Sequence, residues 1–212
     1  MTVADAALVV DVWADVICPW CYLGEHRLQQ AIESAGEPVE VRVHAFQLDP
    51  SSPTEVGTAV EYLGSHHGLP HEQAVAMEGQ MAERAAADGL PYAADHAVAN
   101  TAGMHRVVQL GQEHGVGWDY LRAIQAELFA GNLEVFRADE LVRIGVGLGL
   151  AEAEIREVLD GDRYAEVIEA DQRTAARLGI TGVPFVVLDE RLGVPGAVSV
   201  EQYAEVIRQA RA

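Results

Sequence analysis

The sequence predicts an α/β protein: a four-stranded sheet built from the two ends of the chain and interrupted by a large all-helical insertion. Three observations carry that prediction. Residues 8–46 read strand, helix, strand; residues 168–210 read helix, strand, strand, helix; and between them apolar residues return only at helical spacing.

Leu8 to Ala14 clusters Val, Leu and Trp as a buried strand does. From Pro19 to Ala35 apolar residues recur at Tyr22, Leu23, Leu28, Ala31 and Ile32, and Gly36 is the expected stop. Val39, Val41, Val43 and Ala45 then alternate with Glu40, Arg42 and His44, ending in Phe46. A β-α-β unit of this kind implies two parallel strands joined by a right-handed crossover. The Pro50-Ser51-Ser52-Pro53-Thr54 cluster breaks the pattern. Helices are expected over 55–65, 70–89, 100–114, 118–130, 138–147 and 151–159, punctuated by glycines such as Gly68, Gly89, Gly131 and Gly161. A helix over 168–178 ends at Gly179. Strands follow at 184–188 and 192–194, with Glu190-Arg191 as the turn, and an amphipathic helix over 200–210 closes the chain. The division this implies is a sheet domain from 1–52 and 171–212, with residues 53–170 inserted.

With half of its 212 residues apolar, the chain has ample material for a core. Its 33 acidic and 14 basic residues give a formal charge of −19, which opposes nucleic-acid backbones and anionic membranes as partners. No run is long enough to span a membrane. Leu8 to Val12 is too short and interrupted for a signal-peptide core, and Met1 to Ala7 carries Asp5 but no Lys or Arg. A cytoplasmic location is therefore expected. In that compartment a close cysteine pair is more often catalytic or metal-binding than structural.

The chain has two cysteines, and they stand together as Cys18-Pro19-Trp20-Cys21 at the strand-to-helix junction. Unpaired N–H groups and the helix dipole favour negative charge there, so Cys18 is expected to be an accessible, readily ionised nucleophile. Cys21, one turn on, is placed to attack a mixed disulfide at Cys18 and close the local bridge. Pro19 suits the first helical turn, where its missing N–H costs little. Trp20 sets apolar surface beside the sulfur. A purely structural disulfide is disfavoured because so short a loop removes little unfolded-chain entropy. A zinc site wants about four ligands, and only His26 is near. Two inert buried thiols remain the other alternative.

Four segments in order, Asp15 to Gly24, Phe46-Gln47-Leu48-Asp49-Pro50, Asn100-Thr101 with His105-Arg106, and Gly179-Ile180-Thr181-Gly182-Val183-Pro184-Phe185, resemble the DsbA-like thioredoxin-fold family. Within it the chain is most similar to the FrnE-type branch, related to the 2-hydroxychromene-2-carboxylate isomerases and kappa-class glutathione transferases. The resemblance implies a thioredoxin-like fold with a helical insertion and thiol–disulfide oxidoreductase chemistry; the activity expected from the paired cysteines needs no bound cofactor, and no metal is expected. It implies Cys18 as nucleophile, Cys21 as resolving thiol and a cis peptide before Pro184 facing them. A proline that opens a strand has no N–H to give to the ladder, and the Val183 backbone beside it is a candidate to pair with an extended substrate. Pro19, Trp20, Phe46, Val183, Pro184, Asn100 and His105 are the candidate substrate-binding residues. The partners implied are disulfide- or thiol-containing proteins, with glutathione a further candidate. One departure concerns specificity: family members commonly carry Gly-Ala-Gln after the last strand, and here Gly196-Ala197 is followed by Val198.

Asn100, Thr101 and His105 also fit a plain capped helix, and His66, His67 and His71 fall in a loop-like stretch with no placeable metal partner. Asp15 is the residue whose role depends on burial. A buried carboxylate beside the cysteines raises a thiol pKa or takes a proton from Cys21, whereas an exposed one does neither. The rival activity is a glutathione-dependent isomerase or transferase acting on a small aromatic or polyketide-like compound. The related isomerases and transferases use serine at the attacking position, so Cys18 speaks against it.

Overall fold

The computed structural model describes residues 7–212; the reading of Met1 to Ala6 lies outside them. The elements run β1 (Leu8–Ala14), α1 (Pro19–Ala35), β2 (Val39–Ala45), β3 (Gly57–Thr58), α2 (Ala59–His67), α3 (His71–Ala87), β4 (Ala97–Val98), α4 (Ala102–Glu113), α5 (Gly117–Phe129), α6 (Ala138–Gly147), α7 (Glu152–Asp160), α8 (Ala165–Leu178), β5 (Phe185–Leu188), β6 (Leu192–Pro195) and α9 (Val200–Arg211).

The main sheet has the order β2-β1-β5-β6. β1 and β2 are parallel, from Leu8 opposite Val39 to Ala14 opposite Ala45, as the β-α-β reading requires. β5 runs antiparallel to β1, with Trp13 opposite Phe185, and β6 runs antiparallel to β5. The connection is a three-residue loop, Asp189 to Arg191, whose bend lies one residue earlier than the expected Glu190-Arg191: Asp189 and Glu190 both take positive φ, and Arg191 N–H closes on the Leu188 carbonyl at 3.0 Å.

Alternation along β1 separates two faces. Leu8, Val10, Val12 and Ala14 join the large core with Leu28 and Ala31 of α1 and Tyr203 and Ile207 of α9. Trp13 faces the other way, into a small cluster with Ala175 of α8 and Ile180, against which Phe46 and Val183 pack. The large core continues without a break into α4, α5, α6 and α7. The insertion is helical apart from one two-residue ribbon, β3 with β4. The helix that follows, α8, begins at Ala165 and so runs across the 170/171 division read from the sequence.

Two contacts fasten neighbouring helices to the sheet. β2 is an edge strand, and the side-chain amide of Gln112 on α4 acts as its missing neighbour. Its Oε1 accepts from Val43 N–H at 2.8 Å and its Nε2 donates to the Val43 carbonyl at 2.9 Å. On the opposite face His44 of β2 donates from both ring nitrogens, to Asp11 and to Asp171 of α8, at 2.8 Å each. Burial opposes charge on this ring, but the two carboxylates outweigh it and hold its pKa up at about 9.

Candidate functional site

β1 delivers the chain to the cysteines, and α1 begins on them. Cys18 is the N-cap of α1, in extended conformation, with Pro19 in the first turn. Its sulfur makes no capping bond and lies 3.7 Å from the Val183 carbonyl, within reach of an S–H···O contact. The Val183–Pro184 peptide is cis, as the resemblance implies. The two cysteines are free thiols lying side by side, close enough for the Cys18 side chain to act on the Cys21 thiol. Cys18 is only 3% exposed, less open than a helix N-terminus suggests, because the Val183 segment lies against it. Cys21 is fully buried. Burial first, and the Cys18 contact second, push its thiol well above the usual range.

Gly24 explains how the two halves of this site come so close. A Cβ there would sit 2.8 Å from Pro184 Cγ and 3.3 Å from Ala197 Cα, so a hydrogen is what lets α1 lie on the cis-proline segment. Arg27, one turn further, donates to the Ala197 carbonyl at 3.0 Å and pairs with Asp88 at 2.6 Å. Val198 is partly buried and packs on the core.

Asp15 is buried. Its Oδ1 takes the His105 Nε2–H at 3.1 Å and its Oδ2 the Leu48 N–H at 2.8 Å, while its own carbonyl accepts Cys18 N–H at 3.2 Å. His105 therefore stands behind the cysteine loop as the partner of Asp15. Asn100 donates to the carbonyls of Pro50 and Ser52 and accepts from Ala102 N–H at 3.0 Å, tying the loop after β2 to the start of α4. Phe46 packs in the Trp13 cluster.

Pro19 and Trp20 border a cavity of about 360 Å³ together with Ile17, Leu48, Tyr62, Met77, Met81 and Arg84. Trp20 is 44% exposed, and the Arg84 guanidinium lies 5.3 Å from its ring centroid. Of the residues singled out from sequence, Cys18, Cys21, Pro19, Trp20, Val183 and Pro184 are brought together. Phe46, Asn100 and His105 are not among the residues lining this cavity.

Sequence reasoning passed over Glu25 and Gln125. Glu25 is buried and accepts from Gln125 Nε2 at 3.2 Å, and the same Nε2 lies 3.4 Å from the Asp15 carbonyl. The signal was present, since Cys21, Glu25, Leu28 and Ile32 share one helical stripe. Among the described residues no group of three or more His, Cys, Asp or Glu is placed to hold a metal ion.

A family profile described as a DSBA-like thioredoxin domain matches residues 9–208. The crystal structure of a probable DsbA oxidoreductase from Streptomyces coelicolor is 37% identical, with a TM-score of 0.88 over 96% of this chain and 90% of that one. Two more distant structures share the fold. The cytosolic disulfide reductase DsbM from Pseudomonas aeruginosa, solved with GSH, is 20% identical (TM-score 0.66; 97% and 100% covered). A 2-hydroxychromene-2-carboxylate isomerase is 16% identical (TM-score 0.68; 95% and 95% covered). With the paired thiols, the cis proline and a family match across nearly its whole length, the chain belongs to the DsbA-like thioredoxin-fold family of thiol–disulfide oxidoreductases.

Proposed function

We propose that this protein cycles between a Cys18–Cys21 disulfide and the dithiol, exchanging electrons with disulfides or thiols of proteins or small molecules, with no bound cofactor. The supporting observation is the clustering at one helix N-terminus of a thiol at the N-cap, a second thiol beside it, and the Val183 carbonyl before Pro184. Cys18 attacks a substrate disulfide, the leaving thiolate departs, and Cys21 then attacks the Cys18 sulfur to release the second substrate thiol. Because Cys18 is nearly covered, its substrate sulfur arrives on an extended segment or a small molecule, entering along Trp20 and the adjoining cavity. Val183 and Pro184 line the approach to the sulfur, and Trp20 supplies apolar contact. A cytoplasmic setting belongs to this reading, because in that compartment a close cysteine pair is more often catalytic than structural.

Insulin reduction driven by dithiothreitol tests the proposal. Wild type accelerates precipitation of the insulin B chain, and Cys18→Ser does not; identical rates for the two would refute it.

The mostly apolar cavity bordered by Ile17 and Pro19, either side of Cys18, is of a size that holds small ligands, which favours a second reading: a glutathione-dependent isomerase or transferase acting on a small aromatic or polyketide-like compound. Calorimetry of the reduced protein with glutathione separates the two, because this activity requires a defined tripeptide site.

A further inference from the structure

The exchange chemistry proposed above leaves a proton unaccounted for. Cys21 is completely buried, so water cannot reach its sulfur to supply or remove a proton. One turn further along α1 stands Glu25, 1% exposed. At i, i+4 the two side chains lie on the same helix face, with Cβ atoms roughly 5–6 Å apart.

Glu25 Oε1 accepts the single bond from Gln125, and Oε2 is buried without a hydrogen-bond partner. A carboxylate so poorly satisfied is expensive to keep charged. Burial pushes the Glu25 carboxyl well above the usual range, against the opposing pull of Gln125 and Arg122. The titratable and charged groups facing it are Cys18, Cys21, Tyr22 and His26 on or at the start of α1, Arg122 from α5 and Tyr203 from α9; the Asp15 backbone contacts both Cys21 and Gln125, while its carboxylate is occupied by His105 and the Leu48 N–H. A cavity of about 90 Å³ lies beside the carboxyl, bordered by Tyr22, His26, Arg122 and Gln125. His26 and Arg122 are partly exposed, so this cavity leads outward.

We propose that Glu25 is the proton store of the cysteine pair, protonating the Cys21 sulfur when the bridge opens, recovering that proton when it closes, and exchanging with solvent through the small cavity. The inference rests on the exchange cycle proposed above. On opening, a substrate thiolate bonds to Cys18 Sγ and the Cys18–Cys21 bond breaks. Its electron pair goes to Cys21 Sγ, which takes the Glu25 proton, leaving a mixed disulfide, a thiol and a carboxylate. On closing, Glu25 carboxylate takes the Cys21 proton, Cys21 bonds to Cys18 Sγ, and the substrate leaves as its thiolate. Charge and electrons balance in both directions with the substrate couple as the sole redox partner. Glu25 acts through Cys21 and is a positioning residue for the proton.

Single-turnover reaction of the reduced protein with 5,5′-dithiobis(2-nitrobenzoate) separates the steps. The first thionitrobenzoate released reports attack by Cys18, and the second reports resolution by Cys21. Rates are followed from about pH 5 to about pH 9, spanning the ordinary carboxyl and thiol ranges. Glu25→Gln, which keeps the side-chain volume, is expected to leave the first release within about twofold. It slows the second at least about tenfold at neutral pH and removes the inflection from its pH profile, in line with general acid–base contributions of about 10²–10⁴. Glu25→Asp retains the inflection and part of the rate. Unchanged second release and unchanged profile in both variants overturn the inference, as does equal slowing of both releases with the profile intact. Failure of wild type to give a second release overturns the exchange cycle instead.

Discussion

His44 offers a quantitative test of how α8 is held to the sheet. Its ring is sandwiched by chemistry: Asp11 on one nitrogen, Asp171 of α8 on the other, and the Trp13 indole stacked at 4.3 Å. The folded-state pKa of about 9 stands above the ordinary 6.5. The resulting stabilisation is therefore complete below about pH 6.5 and disappears as pH rises through about 9. A gap of that size corresponds to about 3 kcal/mol at about 1.4 kcal/mol per pH unit, an upper figure because the ring is partly exposed. Urea unfolding of wild type and His44→Gln, both kept reduced, measures it. At about 2–3 kcal/mol per molar urea, the wild-type midpoint should drop by about 1 M more than that of the variant between pH 6 and pH 10 (about these values). Parallel pH profiles would refute the paired-carboxylate account of the α8 attachment.

Other substitutions probe single contacts. Gly24→Ala drives a methyl group into Pro184 and the Ala197 backbone, so chemical denaturation should show a loss of about 1–3 kcal/mol together with slower thiol exchange; unaltered stability contradicts the close-approach role. Gln112→Ala strips two bonds from Val43 at the β2 edge and should cost about 1–3 kcal/mol, with faster amide exchange at Val43. Cys21→Ser should trap glutathione on Cys18 as a mixed disulfide that mass spectrometry detects, because the resolving thiol is gone; rapid self-release from that variant would contradict the assigned order of attack.

Much of this architecture is written locally in the chain. β1, α1 and the helix over 138–147 show their periodicity within their own residues, and the observed bounds are those read from the sequence. The two-residue ribbon of Gly57–Thr58 with Ala97–Val98 is too short to carry a period. At the site, the cysteine pair is legible because its chemistry lies in adjacent residues, and the cis proline because of family resemblance. His105 was singled out as a candidate to line the substrate groove, but its bond to Asp15 joins positions 90 residues apart, and no local pattern encodes such a contact. Glu25 is hidden for a different reason. A charged residue on an apolar stripe reads as a break in the pattern unless the chemistry of its helical neighbour, here Cys21, is considered with it.

The central claim is that Cys18 and Cys21 form a reversible redox couple. Equilibrating the protein in glutathione buffers of graded redox ratio, quenching with acid and weighing the intact chain reads the state of the pair directly. The account predicts a single transition between dithiol and Cys18–Cys21 disulfide, absent in Cys18→Ser, with a midpoint in the range of about −270 to −120 mV spanned by related folds. A pair that stays reduced across every buffer would contradict it.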